Sequence, residues 1–319
     1  MKKFVLALAA AVALAGSAHA QSFPQRPINM TVPFAAGGPT DIIARIVAEH
    51  MSKTLGQQVV IENVAGAGGT TGITRAAGGK PDGYTIMMGH MGTHGAAPAL
   101  YANLKYDPTK DFEPIGMAAG TPILIVGKKN FPANNLQEMV TYLKANADKV
   151  NQAHAGIGAV SHMTCILFNS QIGIKPTAVP YSGTGPALND LVSGQVDYMC
   201  DQIVNLVSQI KAGTIKAFAV ALPERSPALP DVPTTKEAGM PQYEVSAWNA
   251  VFAPKGTPKE IVDQLSSALD KALDDSATRA RLLELGGVIP SKAERGGKWL
   301  GEFVTKEVAR WTPVLKDAK

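Results

Sequence analysis

Residues 28–63, INMTVPFAAGGPTDIIARIVAEHMSKTLGQQVVIEN, hold one complete strand–helix–strand unit. INMTVP (28–33) has the short apolar character of a buried strand, and FAAGGPT follows as a glycine-containing turn. Ile42, Ile43, Ile46, Val47, Met51 and Leu55 then recur at helical spacing. Gly56 stands where a left-handed residue ends a helix, and QVVIEN (58–63) supplies the second strand. Connections this short predict parallel strands with the helix packed between them in sequence.

The alternation continues outward. A glycine-rich turn, AGAGGTTG (65–72), leads into a short helix. YTIMMG (84–89), ILIVG (123–127), QAHAG (152–156), TAVPY (177–181), VDYMC (196–200), AFAVAL (217–222) and WNAVFAP (248–254) read as strands. Between them lie helices from Asn135 to about Lys149, opened by an Asn135/Glu138 capping box, from Ser161 to Ile172, and from Pro186 to Ser193. The stretch from Pro223 to Pro241 is expected to be irregular. At Thr257-Pro258-Lys259-Glu260 an N-cap, a proline at the first helical position and a capping-box glutamate coincide. The stripe Ile261, Val262, Leu265, Ala268, Leu269, Ala272 and Leu273 follows. Strands alternating with helices define an α/β fold with mostly parallel sheets, and 319 residues suit two domains.

Charge and compartment narrow the function. The net charge is +4, or +2 once Lys2 and Lys3 are set aside, and no basic run exists. So small a balance argues against nucleic acid. Lys2 and Lys3, the apolar stretch Phe4–Ala15 and Ala18-His19-Ala20 have the form of a signal peptide, residues 1–20, cleaved after Ala20. Its 12 apolar residues rise about 18 Å as helix, short of a ~30 Å bilayer core. The mature chain is therefore expected to start at Gln21, in a periplasm. There the two cysteines, Cys165 and Cys200, form either a disulfide or a pair of buried thiols. The oxidising compartment favours the disulfide, worth roughly 3–4 kcal/mol for a loop of about 36 residues.

Catalytic motifs are absent: there is no G-x-S-x-G, no H-E-x-x-H and no G-x-x-x-x-G-K-[ST]. Gly66, Gly68 and Thr71 nearly make a dinucleotide fingerprint but lack its third glycine. His90 and His94 lie four apart, yet Gly89, Gly92 and Gly95 disfavour a helix there, so no metal site is assigned. Ser161 and His162 are sequence neighbours, which seldom face each other as nucleophile and base. No metal and no cofactor is expected.

Binding fits better. Strand–glycine turn–helix occurs at 28–55 and near 152–172, and each leaves unpaired backbone N–H groups at a helix N-terminus. Such an end takes an anion without lysine or arginine. In the first turn Ala36, Gly37 and Gly38 permit close approach and Thr40 adds a hydroxyl. In the second, Gly158 and Ser161 play these parts, with His162 and Thr164 nearby. Either turn alone could be simple capping; two in two half-chains point to a shared anion clamp. Asp41 either holds its turn together or meets the ligand. Asp201 either faces the cleft or caps a strand end. Phe34, Tyr181 and Trp248 are aromatic candidates for the cleft, with core packing the alternative for Trp248.

Six segments in this order resemble the Bug-type periplasmic receptors of tripartite tricarboxylate transporters: VPFAAGGPTDIIAR (32–45), ENVAGAGGTTG (62–72), KPDGYTIMMG (80–89), VPYSGTGPALNDLVSGQVDYM (179–199), RSPALPDVPTTKEAGMP (225–241) and APKGTPKEIVDQL (253–265). The resemblance implies a two-domain periplasmic-binding-protein-like fold with a ligand cleft between the domains. Its two crossover strands would fall near 120–128 and 243–252. Domain 1 would then be discontinuous, 21–122 and 248–319, with domain 2 at 123–247. It implies a carboxylate held between the 34–41 and 158–164 turns, partly through ordered water. Thr93 and His94, in the GHMGTHG loop (89–95), would be further contacts, and Tyr181 and Ser182 would line the domain-2 wall.

The expected function is a monomeric solute receptor that captures a small organic acid by domain closure and hands it to the large and small membrane subunits of a transporter. The alternatives are an exported enzyme acting on small acids and a binding protein serving a sensor.

Overall fold

In the computed structural model, which describes residues 23–316, the opening unit forms as read: β1 (Ile28–Val32), α1 (Pro39–Leu55) and β2 (Val59–Asn63). The signal peptide lies outside the described residues. Gly56 ends α1 at φ 68° and ψ 10°, the left-handed conformation that its position in sequence suggested. β1 pairs in parallel with β2 and, on its other side, with β3 (Thr85–His90), after the helix α2 (Thr70–Ala77). Ile28, Met30, Val32, Ile43, Val47 and Met51 are buried together, which is why the unit packs as it does.

The segment after β3 departs from expectation. Met91–Ala96 forms a single π-helical turn despite Gly92 and Gly95, followed by α3 (Ala97–Leu100). The His90 side chain replaces the missing cap: its Nδ1 accepts from Gly92 N at 2.8 Å and Thr93 N at 3.1 Å.

β4 (Phe112–Lys128) is far longer than the ILIVG strand read from sequence. Pro114, Gly116, Gly120 and Pro122 hid its first half. They are accommodated because the register slips between Pro114 and Gly116 and again between Met117 and Ala119, as bulged strands allow. This strand joins two half-sheets. Phe112–Pro122 pairs with β9 (Ser246–Pro254), and Ile123–Lys128 pairs with β7 (Tyr198–Gln202) and β8 (Ile215–Val220).

The second half-sheet repeats the first: α4 (Leu136–Ala145), β5 (Asn151–His154), α5 (Val160–Ile172), β6 (Thr177–Pro180) and α6 (Thr184–Ser193) precede β7, and α7 (Val207–Lys211) precedes β8. The strand order is β2-β1-β3-β9-β4-β7-β5-β6, with β8 also on β4. The sheets are mixed rather than mostly parallel. β1 with β2 and β3, and β5 with β6 and β7, run parallel, whereas every pairing made by β4 and β9 is antiparallel. The two crossover strands account for that difference. α8 (Lys259–Asp274) starts one residue later than read, with Thr257 donating to Pro254 O instead of capping it. Leu265, Ala268, Leu269, Ala272 and Leu273 are buried as the stripe predicts. α9 (Ser276–Glu284) and α10 (Gly297–Lys316) complete the chain; the sequence reading left them unassigned.

Candidate functional site

The C-terminal ends of β1, β3, β5 and β7 converge on one cavity, as parallel-strand ends do in open α/β folds. Phe34, Gly38, Pro39, Thr40 and His90 wall it from the first half-sheet. Ala155, Ala159, Val160, Ser161, Thr184, Asp201 and Gln202 wall it from the second. The space between these walls is only ≈ 10 Å³, about the room of one water, so the two half-sheets stand close together there.

Three helices begin at these walls. α1 has Gly38 at its N-cap, α5 has Ala159 and α6 has Gly183, and none of the three receives a side-chain capping bond. Pro39 opens α1 without an N–H, so the free first-turn donors are those of Thr40 and Asp41 in α1, Val160 and Ser161 in α5, and Thr184 and Gly185 in α6, each beside the positive end of its helix dipole. The third end, α6, escaped the sequence reading, which started that helix at Pro186.

Side-chain donors complete the lining. With two backbone N–H groups on its Nδ1, His90 carries its proton on Nε2, which no protein acceptor takes among the described residues. Burial pushes its pKa down to about 4, so it donates as a neutral imidazole. The Gln202 Oε1 accepts from Thr121 Oγ1 at 2.7 Å and Asn249 Nδ2 at 2.9 Å, which fixes the amide and leaves its NH2 unpaired. Ser161 Oγ accepts the Ala155 N–H at 3.0 Å and keeps its own proton to give. No lysine or arginine lines the cavity.

Asp201 is the exception among these donors. Its side chain is 0% exposed and neither carboxylate oxygen has a hydrogen-bond partner. Burial pushes its pKa up to about 7, against the tempering pull of the Gln202 backbone, Asn205 and Thr184.

Two backbone contacts shut the lobes. Ala35 N donates to Ser182 O at 3.2 Å, and a Cβ on Gly185 would lie 2.5 Å from Ala36 O. On the other flank the Tyr101 hydroxyl lies 2.7 Å from Ala67 O and 2.5 Å from Ile157 O. Gly68, at φ 60°, leaves so little room that a Cβ would sit 1.8 Å from Ile157 O.

Of the residues named from sequence, Phe34, Gly38, Thr40, Ser161 and Asp201 line the cavity; the others lie elsewhere. Ala36 and Gly37 sit on the exposed outer side of the first turn. Asp41 is committed to that turn: its carboxylate accepts from Gly37 N at 3.0 Å, Arg45 Nε at 2.9 Å and Asn63 Nδ2 at 2.9 Å. Burial alone would raise its pKa, but these bonds outweigh it and hold the carboxyl below its ordinary value.

Thr93 braces the π-helical turn through His90 N and His94 Nδ1. His94 faces away from the cleft, stacked on Phe252 at 4.1 Å and beside Phe112 at 4.8 Å, and burial pushes its pKa down to about 3. Four residues on from the cavity-lining His90, it belongs to the core. Gly158 donates to His162 Nδ1 at 3.2 Å, and Thr164 donates to Val160 O and Cys200 O, so all three brace α5. Tyr181 donates to Asp190 at 2.6 Å, and Ser182 is exposed apart from its carbonyl. Trp248 is packed in the core, its Nε1 donating to Glu307 at 2.9 Å.

Cys165 and Cys200 are free and fully buried, so the expected disulfide is not formed. α5 lies on β7 and brings the thiols together away from solvent, and burial, with Cys200 alongside, raises the Cys165 thiol pKa. Both effects suppress the thiolate that exchange requires.

His90, Thr184 and Gln202 were missed as lining residues. Their shared signal is position at a strand end or helix start, which depends on element boundaries that sequence places poorly. A wider groove of ≈ 640 Å³, lined by Trp248, Val288, Trp299 and Phe303, carries Glu244, Glu294 and Glu307 against one cation, Arg310, which is paired with Glu307; it has none of the three helix starts and disfavours an anion. Among the described residues, no cluster of three or more His, Cys, Asp or Glu side chains could hold a metal.

Two lobes shut over a cavity at the strand ends, tied by crossover strands, define the class of periplasmic-type solute-binding receptors. The chain belongs to the tripartite tricarboxylate transporter family receptors, whose model matches residues 43–319. It is similar to MatC from Rhodopseudomonas palustris, solved with bound malate: 49% identity, TM-score 0.89, covering 92% of this chain and 99% of that one. It is also similar to the periplasmic binding protein BugD, at 46% identity and TM-score 0.90 over 93% of this chain and 98% of that one. A second R. palustris protein, solved with adipate, is 33% identical with TM-score 0.88, over 93% and 98% of the two chains. Among sequence relatives, a protein of Agrobacterium vitis encoded in the intergenic region ttuE-ttuC' is 43% identical over 99% of this chain and 91% of its own.

Proposed function

We propose that this receptor works in the periplasm, binds a small organic carboxylate between its lobes, and delivers it as a monomer to the large and small membrane subunits of a tripartite transporter. The observation that carries this reading is the convergence of three uncapped helix N-termini on one cavity free of lysine and arginine. Fixed N–H dipoles stabilise a carboxylate without a counter-charge and without ordering flexible cationic side chains. The malate and adipate held by the two R. palustris relatives are acids of this class.

In this reading residues 1–20 are an export signal removed after Ala20. Residues 21–122 with 248–319 move as one lobe and 123–247 as the other, hinging on β4 and β9. Phe34, Gly38, Thr40, His90, Ser161, Thr184 and Gln202 meet the ligand. The receptor does not turn its ligand over: Ser161 Oγ meets only the Ala155 N–H, and His90 is bonded through Nδ1 to backbone. Neither forms a nucleophile–base pair.

The test is a thermal-shift screen of the mature protein with mono-, di- and tricarboxylates and their neutral amides, followed by calorimetry. Carboxylates should raise the melting temperature and the amides should not. An equal rise with the amides, or turnover of an acid by the pure protein, contradicts the reading.

A further inference from the structure

A cavity walled by donors holds one acid, whose two oxygens meet no donor in full hydrogen-bond geometry although Thr184 and Asn205 stand beside it. Asp201 lies at the end of β7 with both oxygens buried and unpartnered, among the same walls that present three helix N-termini. An ionised Asp201 would repel an incoming carboxylate across a few ångströms of low-dielectric space.

No cation offsets that repulsion. Across the cavity β3 supplies His90, a neutral donor. α1 supplies Asp41, whose carboxylate is bound to its own turn and to Arg45, so that guanidinium is already neutralised. β5 supplies His154, whose pKa burial lowers, and α5 supplies the Cys165 thiol, held protonated by burial, and His162, bonded to Gly158 and held neutral to about pH 4. α6 supplies the Thr184 hydroxyl at its start and Asp190 farther along, bonded to Tyr181. On β4 the register partner is Leu124; β7 ends at Gln202 and the turn after it holds Asn205, both uncharged.

We propose that Asp201 is a specificity-determining acid of the cleft: it enters the closed, loaded state protonated and donates that proton as a hydrogen bond to a carboxylate oxygen of the ligand. The balance is one ionised Asp201, one ligand carboxylate and one proton from water giving a single acid–carboxylate pair. Each ligand captured above neutral pH therefore brings a proton into the cleft. This rests on the carboxylate reading above and adds a requirement: the ligand must present an acceptor oxygen, not an ammonium, to Asp201.

The experiment is isothermal titration of the mature protein with malate, or with the tightest acid of the screen if malate does not bind. It is run at pH 8 in buffers of different ionisation enthalpy, which counts protons. Free Asp201 is mostly ionised at that pH and so is the probe, so uptake should approach one proton per ligand. Affinity should fall about tenfold from pH 8 to pH 9. D201N, which donates permanently, should bind with no proton uptake and lose the pH dependence.

Uptake near zero by the wild-type protein overturns the proposal without any variant, as does full uptake retained in D201N. If no acid binds at all, the carboxylate reading itself falls, an outcome distinct from binding without a proton.

Discussion

Closure can be tested by filling the space where the two lobes touch. Gly185, second residue of α6, has ordinary helical geometry, so alanine is permitted there by the backbone. Its Cβ would lie 2.5 Å from Ala36 O and 3.2 Å from Gly37 C, both backbone atoms of the opposing lobe. Ordinary contact begins at 3.4 Å, so the lobes must separate by about 0.9 Å at that point. Hydrogen bonds to a bridging ligand near 2.9 Å would stretch beyond the useful limit of about 3.5 Å. Overpacking of this kind costs about 1–3 kcal/mol, which is roughly 5- to 150-fold in affinity. The open form feels no clash, and alanine favours the helix by up to ~1 kcal/mol. G185A should therefore bind more weakly in calorimetry while melting no earlier than wild type without ligand. Unchanged affinity in G185A would refute closure across these turns.

Other outcomes follow from individual residues. D41A should destabilise the fold by about 1–3 kcal/mol at pH 7, because Gly37, Asn63 and Arg45 lose their common acceptor. The Asp41 pKa is depressed in the folded state, so this contribution is full above about pH 4 and disappears as pH falls through the folded value. The denaturation gap between wild type and D41A should therefore close in acid, and a gap that persists there sinks the assignment. Protein denatured without reductant should titrate two thiols and native protein none; zero thiols after denaturation would establish a disulfide. His90 and His94 have folded pKa values of about 4 and 3, below the ordinary 6.5, so unfolding takes up protons in acid. Their stabilisation is full above pH 6.5 and declines below it by about 1.4 kcal/mol per pH unit for each histidine. H94F should remove about 1.4 kcal/mol per pH unit from the acid slope, which His154 and His162 also feed, and cost ligand affinity little, since His94 Nε2 has no partner and Nδ1 meets only Thr93 Oγ1; a large affinity loss would return His94 to the site.

The βαβ unit was legible because Ile43, Val47 and Met51 fall on one face and Gly56 ends the helix at the single position where only its conformation fits. Phe34, Gly38, Thr40 and Ser161 were legible for a related reason: glycine turns before helices advertise free N–H groups. The first half of β4 was not, because prolines and glycines that normally break strands sit at bulges only the β9 pairing reveals. His94 was misassigned to the cleft because a π-helical turn, not a loop, directs it onto Phe252, while His90 four residues earlier faces the cavity. The cysteine pairing was read from compartment alone, and compartment says nothing about whether α5 packs on β7 with its thiols sealed.

The direct trial of the main idea is a crystal structure of the mature protein loaded with the tightest acid from the screen. A carboxylate whose oxygens accept from the first N–H groups of α1, α5 and α6, directly or through one water, is the predicted result. Oxygens bound instead to an arginine, a lysine or a metal, or a ligand seated in the Trp248–Trp299 groove, would contradict it.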